Sequence, residues 1–536
     1  MRDFELPGRS PVYAGNAMVA TSNPLAALTA VEILRAGGNA VDAAIAAAAV
    51  LCVTEPHNIG IGGDAFALYA PADGKGVKAY NGSGFAPAAA SPELFHERGM
   101  GAIAANSPHA VTIPGAVDAW ARLNADHGTK DLGELLRPAI DLAENGYPIT
   151  DSAHFYWTHA KAHLAQDAAA ARIFLPGGKV PARGSLHRQP ELAGSLRLIA
   201  TQGRSAFYEG PIARDLVRHL GSRGGVHSLE DFAEYRGEYV DPIRTDYRGY
   251  DILECPPNGQ GIVALLMLNI LSGFELGGMD PIGAERLHLE IEAARLAYRD
   301  RDARVCDPRH HATPVEVMLS RGHADRLRAG IDPSRAMQDL PPCELPRHTD
   351  TTYLSIVDRD RNAISYIGSL FHAFGSGLVG PESGVVLQNR GFGFTTEPGH
   401  PNVIGSRKRP MHTIIPGMAC KDGRPAMSFG VVGGRYQPWG HAHLLTNILD
   451  YGFDVQEALD LARVYHEDGL VHVERGIPDR VALDLAGYGH RIIRRSEVGN
   501  RDDGPIGAGS MVMIDWEKGV LVGGSDSRID GCALGY

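Results

Sequence analysis

Apolar and polar positions follow two different rhythms along this chain. Through the first two-thirds the apolar positions recur mostly at helical spacing. The clearest case is Leu25–Leu34, a break at Gly37-Gly38-Asn39, and then Ala40–Val53. Small residues on every face of that second stretch predict a helix buried all round and packed closely against a sheet. Ala284–Arg304 reads as another helix, with apolar residues at helical spacing and charges between them, and Val455–Arg463 as a third. Strand-like runs gather in the last third: Thr352–Val357, Ala363–Ile367, Gly384–Leu387, Ala426–Val432 and Ser510–Asp515, with Phe66–Ala70 as an earlier one. The pattern predicts a mixed helix-and-sheet protein. The 65 glycines and 34 prolines are spread throughout, which predicts tight turns between short elements rather than one linker.

Composition narrows the classes of function. The 51 basic and 63 acidic residues give 51 − 63 = −12, which disfavours a nucleic-acid partner and leaves no polybasic membrane patch. The most apolar run, Ala43–Val53, is about half a membrane span. Met1–Ser10 mixes charges with a proline and has no apolar core, so no Sec-type signal is expected. The six cysteines are scattered without a C-x-x-C, which speaks against a zinc or redox pair and for a reducing cytoplasm. By length alone the 536 residues suggest about three domains.

Most generic motifs are missing. There is no G-x-S-x-G, no phosphate-cradling G-x-x-x-x-G-K-[ST] and no H-E-x-x-H. His159 and His163 stand four apart, a spacing that can hold a metal on a helix, though solvated or core histidines are the default. Gly60-Ile61-Gly62-Gly63-Asp64 looks like a nucleotide loop but follows a helix rather than a strand.

The informative junction is Asp350-Thr351-Thr352-Tyr353-Leu354-Ser355. Met337–Asp350 holds three prolines and no periodicity, which predicts an exposed, poorly structured loop, and a β-branched strand starts abruptly after it. Two readings stand side by side. Thr-Thr can simply open a strand. Alternatively, breakage of the Asp350–Thr351 bond would give Thr351 a free α-amine able to take the proton from its own hydroxyl.

Several segments together resemble the γ-glutamyltranspeptidase family of N-terminal-nucleophile hydrolases. They are Met18–Ala26, Gly37–Ala44, Gly60–Asp64, Pro114–Val117 and Pro256–Gly261 in the first part, then Asp350-Thr351-Thr352, Phe374–Gly377, Lys408-Arg409-Pro410, Gly433-Gly434 and Asp526–Gly531. They span the chain in the family's order. The resemblance implies an α+β fold, an αββα sandwich of two stacked sheets flanked by helices. It implies a proenzyme cut between Asp350 and Thr351 into a large segment, 1–350, and a small segment, 351–536, which fold as one unit. Thr351 would be the nucleophile with its α-amine as general base. Ser369 stands where relatives carry a threonine that hydrogen-bonds the nucleophile. Gly433 and Gly434 match a pair whose N–H groups form the oxyanion hole. No metal or organic cofactor is implied.

The resemblance breaks down at the substrate pocket. Family members grip the α-carboxylate and α-amine of a γ-glutamyl group with an arginine and an aspartate. Here Asn81–Pro87 has no arginine, and Gly393 stands at the aspartate position. A serine pair is replaced by His412-Thr413 and an asparagine by Phe371. A zwitterionic head would leave unpaired charge in such a site. The pattern Phe371–Gly377 with Asn389-Arg390-Gly391 is similar to the branch holding oxamate amidohydrolase-like and cephalosporin-acylase-like members. Arg390 or Arg435 is therefore a candidate for a substrate carboxylate. The expected function is hydrolysis or acyl transfer on a small carboxylate-bearing amide through an acyl-Thr351 intermediate. A true γ-glutamyltransferase or glutathione hydrolase, and a non-catalytic binder on the same scaffold, are the alternatives. Expected partners are the small-molecule substrate and the two segments of one precursor, with no nucleic acid or membrane; an oligomer of such heterodimers is compatible with the sequence.

Overall fold

The computed structural model describes residues 8–338, 340, 350–494 and 504–536. Two seven-stranded sheets form its centre. One runs, in spatial order, Val12–Ala14, Val520–Ser525, Ala508–Asp515, Arg424–Val432, Gly417–Lys421, Tyr250–Glu254, Ile243–Tyr247. The other runs Cys532–Gly535, Met18–Thr21, Asp350–Val357, Ala363–Phe371, Asp64–Ala70, Lys78–Gly82, Glu238–Val240. Their facing surfaces share one apolar layer, with Met18, Phe66, Leu68, Tyr353 and Ile367 on one side and Leu253, Met418, Val512 and Ile514 on the other. Side chains alternate across a strand, so the opposite faces of both sheets need their own cover.

Helices supply that cover. Ala40–Thr54 is buried at every position and packs with Leu354, Ile356, Ile364 and Tyr366 of the second sheet. Its alanines let the helix axis approach the strands closely. The break before it is local chemistry: Gly37 takes φ +87°, and the Asn39 side chain accepts from the N–H groups of Val41 and Asp42 while Asp42 reaches back to cap Asn39. Gly261–Leu271, Ala284–Arg304 and Gln437–Leu449 cover the first sheet. The order is helix, sheet, sheet, helix, the αββα sandwich.

Most of the expected elements are present. Ala284–Arg304 is a helix over that whole range, and the other helices and strands agree to within a few residues at their ends. Two expectations need correction. Gly384–Leu387 is not a strand: Val386 and Leu387 make only isolated bridges, to Val379 and Gly62. The predicted helix Val455–Arg463 stops at Asp460, because Leu461 turns to ψ 137° and the chain enters the strand Val464–Glu467. The Pro-rich loop before Thr351 lies largely outside the described residues. Among the described residues no helix is long and apolar enough to cross a membrane.

Candidate active site

Thr351 lies on the third strand of the second sheet, between Met18–Thr21 and Ala363–Phe371, both antiparallel to it. The register with the latter strand slips between Asp350 and Thr352. Such a bulge re-aims a side chain. It turns the Thr351 hydroxyl, which is 3% exposed, to donate to Ser369 Oγ at 3.2 Å. Ser369 Oγ also accepts the N–H of Phe371 at 2.8 Å. Gln437 Nε2 approaches Thr351 Oγ1 at 3.5 Å from the first turn of its helix. Thr352 donates to Glu55 Oε2 at 2.8 Å, at the end of the alanine-rich helix. Burial pushes the Glu55 carboxyl above its ordinary value, partly offset by hydrogen bonds from Asn58 and Thr352.

Gly433 and Gly434 end the strand Arg424–Val432 and open the turn leading into Gln437–Leu449. Gly433 has φ +125°, and a Cβ there would lie 2.7 Å from Gly507 Cα. Only glycine fits this position. Gln260 of the first segment fixes the turn: its Nε2 donates to Gly434 O at 3.0 Å and to Thr413 O at 2.7 Å. The Pro256–Gly261 motif thus ties Gly434 to the His412-Thr413 segment, and Asn258 O accepts the N–H of His412 at 2.7 Å.

Arg390, Asp64, His412, Thr413 and Phe371 form a second cluster. Arg390 is fully buried and Nη1 donates to Thr413 Oγ1 at 2.7 Å. Its guanidinium lies over the Phe371 ring at 4.3 Å, and Nε is 3.9 Å from Asp64 Oδ2. Arg390 Nε and Nη2 have no hydrogen-bond partner among the described residues. Asp64 accepts from Gly84 N at 2.9 Å, Gln388 Nε2 at 2.8 Å and His412 Nε2 at 2.8 Å. Burial pushes the Asp64 carboxyl up to about 6, against the pull of Arg390. Burial, then Arg390, holds His412 well below its ordinary value, so a neutral imidazole donates Nε2–H to Asp64. Burial brings Arg390 down to about 9, with Asp64 opposing. Phe371 joins the two clusters: its N–H reaches Ser369, its ring lies under Arg390, and its φ is +82°, a conformation bulky side chains rarely adopt.

The other candidates fall elsewhere. Arg435 is buried, with Nη1 3.5 Å from Glu467 and 3.4 Å from Asp468. Gly393 borders a cavity of about 250 Å³ with Phe392, Met411 and Asn402. His159 and His163 do not converge: Nδ1 of the first meets Phe155 O at 2.8 Å, and Nε2 of the second meets Gly375 O at 3.2 Å. In the loop Gly60–Asp64 a Cβ on Gly63 would sit 2.4 Å from Ser369 O, so this glycine serves close packing against the serine strand. Sequence reasoning missed Glu55, Asp64, Gln260 and Gln437. The signal for three of them was a lone polar residue inside or just after a glycine motif.

The cavity beside Thr351, bounded by Glu55, His57, Asn58, Tyr156 and Gly507, has about 30 Å³. That is room for a water but not for an amide substrate.

Comparison with known proteins gives the family. Residues 26–536 match the γ-glutamyltranspeptidase family. The "Glutathione hydrolase-like YwrD proenzyme" of Bacillus subtilis is 37% identical over 97% of this chain and 98% of its own. The "Oxamate amidohydrolase proenzyme" of Klebsiella pneumoniae is 33% identical over 97% and 98%. The crystal structure of cephalosporin acylase from Bacillus halodurans superposes with a TM-score of 0.93 at 39% identity, covering 100% of this chain and 99% of that one. The chain therefore belongs to the γ-glutamyltranspeptidase family of N-terminal-nucleophile hydrolases and is an amide-cleaving enzyme of that family.

Proposed function

We propose that this chain is a proenzyme that cuts itself between Asp350 and Thr351 and then hydrolyses a small carboxylate-bearing amide, of the oxamate kind, through an acyl-Thr351 intermediate. The observation that carries the reading is the aim of the Thr351 hydroxyl at Ser369, at a strand bulge beside the Gly433-Gly434 turn. In self-cleavage Oγ1 attacks the Asp350 carbonyl carbon. The C–O bond forms, the C–N bond breaks, and the proton passes to the departing Thr351 nitrogen. Water then hydrolyses the ester, leaving the Asp350 carboxylate and a free Thr351. The cavity beside Thr351 is too small for substrate, which suits an uncut precursor.

In turnover the freed α-amine takes the Oγ1 proton as the hydroxyl attacks the substrate carbonyl. Ser369 and Gln437 orient the hydroxyl, and the N–H groups of Gly433 and Gly434 face the developing oxyanion. The amine leaves with the proton, and water releases the acid. The segments 1–350 and 351–536 remain one structural unit in this reading, since each sheet holds strands of both.

Arg390 is the carboxylate anchor in this reading, and Arg435 is not. Among the described residues Arg390 Nε and Nη2 have no hydrogen-bond partner, the nearest carboxylate being Asp64 at 3.9 Å, whereas Arg435 already faces two carboxylates. Such unpaired charged donors are costly unless a ligand takes them. The absence of an arginine in Asn81–Pro87 and Gly393 at the aspartate position weigh against a γ-glutamyl head group. A reducing compartment, the cytoplasm, fits the cysteines: those among the described residues are free. A purely binding role has no support, because the relatives carry the names of hydrolases and acylases.

The test has two parts. N-terminal sequencing of purified protein should find a fragment beginning Thr-Thr-Tyr-Leu. Ammonia release from oxamate should exceed amine release from a γ-glutamyl anilide; turnover of the anilide with none of oxamate would install the glutathione-hydrolase reading instead.

A further inference from the structure

A second constellation lies away from Thr351, on the outer side of the first sheet. The helix Ala284–Arg304 carries His288 and Glu292 one turn apart, so both project from one face. His490 reaches them from the turn after the helix Asp479–Gly487. All three are buried, and one ligand atom from each lies within 4.8 Å of the others.

The hydrogen bonds fix which atoms carry lone pairs. His288 Nε2 is 2.8 Å from the carbonyl of Asp332. A carbonyl only accepts, so Nε2 bears a proton, and in the neutral ring Nδ1 is the lone-pair atom. Nδ1 faces His490 Nε2 at 2.8 Å. A histidine whose far nitrogen donates to a backbone carbonyl is in the state that metal-bound histidines adopt. Glu292 supplies an anion: Oε1 accepts from Arg295 at 2.7 Å and Oε2 from the N–H of Met337 at 2.8 Å. A cavity of about 310 Å³ borders the site at His490, lined also by Met337, His466, Arg295 and Arg299.

We propose that His288 Nδ1, His490 Nε2 and a Glu292 carboxylate oxygen form a binding site for a borderline divalent cation of the Zn²⁺ class, with water in the fourth position. The proton on His490 Nε2 moves to its Nδ1, and Glu292 Oε2 turns from Met337 to the ion while Oε1 keeps Arg295. The ion ties two segments, the helix Ala284–Arg304 and the turn at His490, while His288 Nε2 keeps its hydrogen bond to the Asp332 carbonyl. It takes no part in the chemistry at Thr351, and the site stands or falls independently of that reading.

The test uses tag-free protein stripped with a chelator and titrated with Co²⁺ and Zn²⁺. About one Co²⁺ should bind per chain, with the intense visible absorption of a four-coordinate ion. Zn²⁺ should raise the unfolding temperature. His490→Ala and Glu292→Gln should each weaken Co²⁺ binding by at least about tenfold and remove the Zn²⁺ effect. Glu292→Gln keeps an acceptor for Met337 N–H, so it decides the matter if His490→Ala fails to fold. Parent protein that binds Co²⁺ no tighter than the variants, or that shows only the pale spectrum of the hydrated ion, would overturn the proposal.

Discussion

At Thr351 the hydroxyl meets a serine and an amide, with the Glu55 carboxyl held by the neighbouring Thr352, while on the far side of Phe371 a buried guanidinium has two donors with no hydrogen-bond partner among the described residues. The first region is made of hydroxyls, an amide and backbone N–H groups whose positions follow from strand register and one turn. The second is made of Arg390, Asp64 and His412, drawn together from distant parts of the chain. Hydroxyl and amide groups paired in this way cost the fold little and can be set by geometry alone. An unpaired buried donor costs roughly 1–3 kcal/mol, more when charged, and persists for a reason outside folding. On the proposed function, the contrast separates the part that performs the reaction from the part that chooses the substrate.

Changing Thr351 has the largest expected effect. Thr351→Ala should leave a single uncut chain of 57.3 kDa with no amide turnover, read by intact mass. Thr351→Ser should still process in part, since the hydroxyl remains. Cleavage of Thr351→Ala at the usual bond would assign the reaction to another group. Gly433→Ala comes next. The new Cβ would meet Gly507 at 2.7 Å in a backbone conformation that alanine avoids, so the turn must shift. Processed enzyme should lose about 10²–10³ in kcat with KM little changed, the scale of a displaced oxyanion donor. A nearly unchanged kcat would remove Gly433 from the oxyanion site.

The other side of Phe371 responds differently. Arg390→Gln should lower kcat/KM for oxamate by about 10–100-fold, from the loss of charge-assisted hydrogen bonds worth roughly 1.5–3 kcal/mol. An uncharged amide of similar size should be affected far less. Equal losses on both substrates would show that Arg390 supports the fold rather than the carboxylate. The His412–Asp64 contact is not directly altered by this change, so the variant should stay folded by circular dichroism.

How much of this was legible in the sequence depends on the distance over which each feature is decided. The helix Ala284–Arg304 and the strand after Thr351 are local periodic patterns, and both are present. Gly384–Leu387 reads as a strand because its last three residues, Val385, Val386 and Leu387, are β-branched or apolar, but strand pairing is settled by neighbours far away, and the segment makes only isolated bridges. Arg390 and Arg435 were indistinguishable as residues, each an arginine beside glycine. Only the fold places Glu467 and Asp468 against one of them and leaves the other with unpaired donors. Gln260 is the sharpest case. Its role lies in reaching Thr413 and Gly434, more than 150 positions on, and no local pattern encodes that reach.

Asp64 provides the smallest and most discriminating test of the division. Its carboxyl is pushed from 3.8 up to about 6, chiefly by burial, with Arg390 pulling the other way. A folded-state value above the unfolded one means that protonation favours the folded chain. The contribution to stability is therefore fully present below about pH 4 and is lost as pH rises through about 6, amounting to at most about 3 kcal/mol. Urea unfolding of the uncut Thr351→Ala chain, compared with the same chain carrying Asp64→Asn, should show the stability difference falling across that window. Adding Arg390→Gln removes the opposing cation, so the fall should move to higher pH. Ser369→Ala, on the nucleophile side, should leave it where it was. A fall that ignores Arg390→Gln, or that follows Ser369→Ala, would mean that the two regions are one electrostatic unit and that chemistry and choice of substrate are not divided at Phe371.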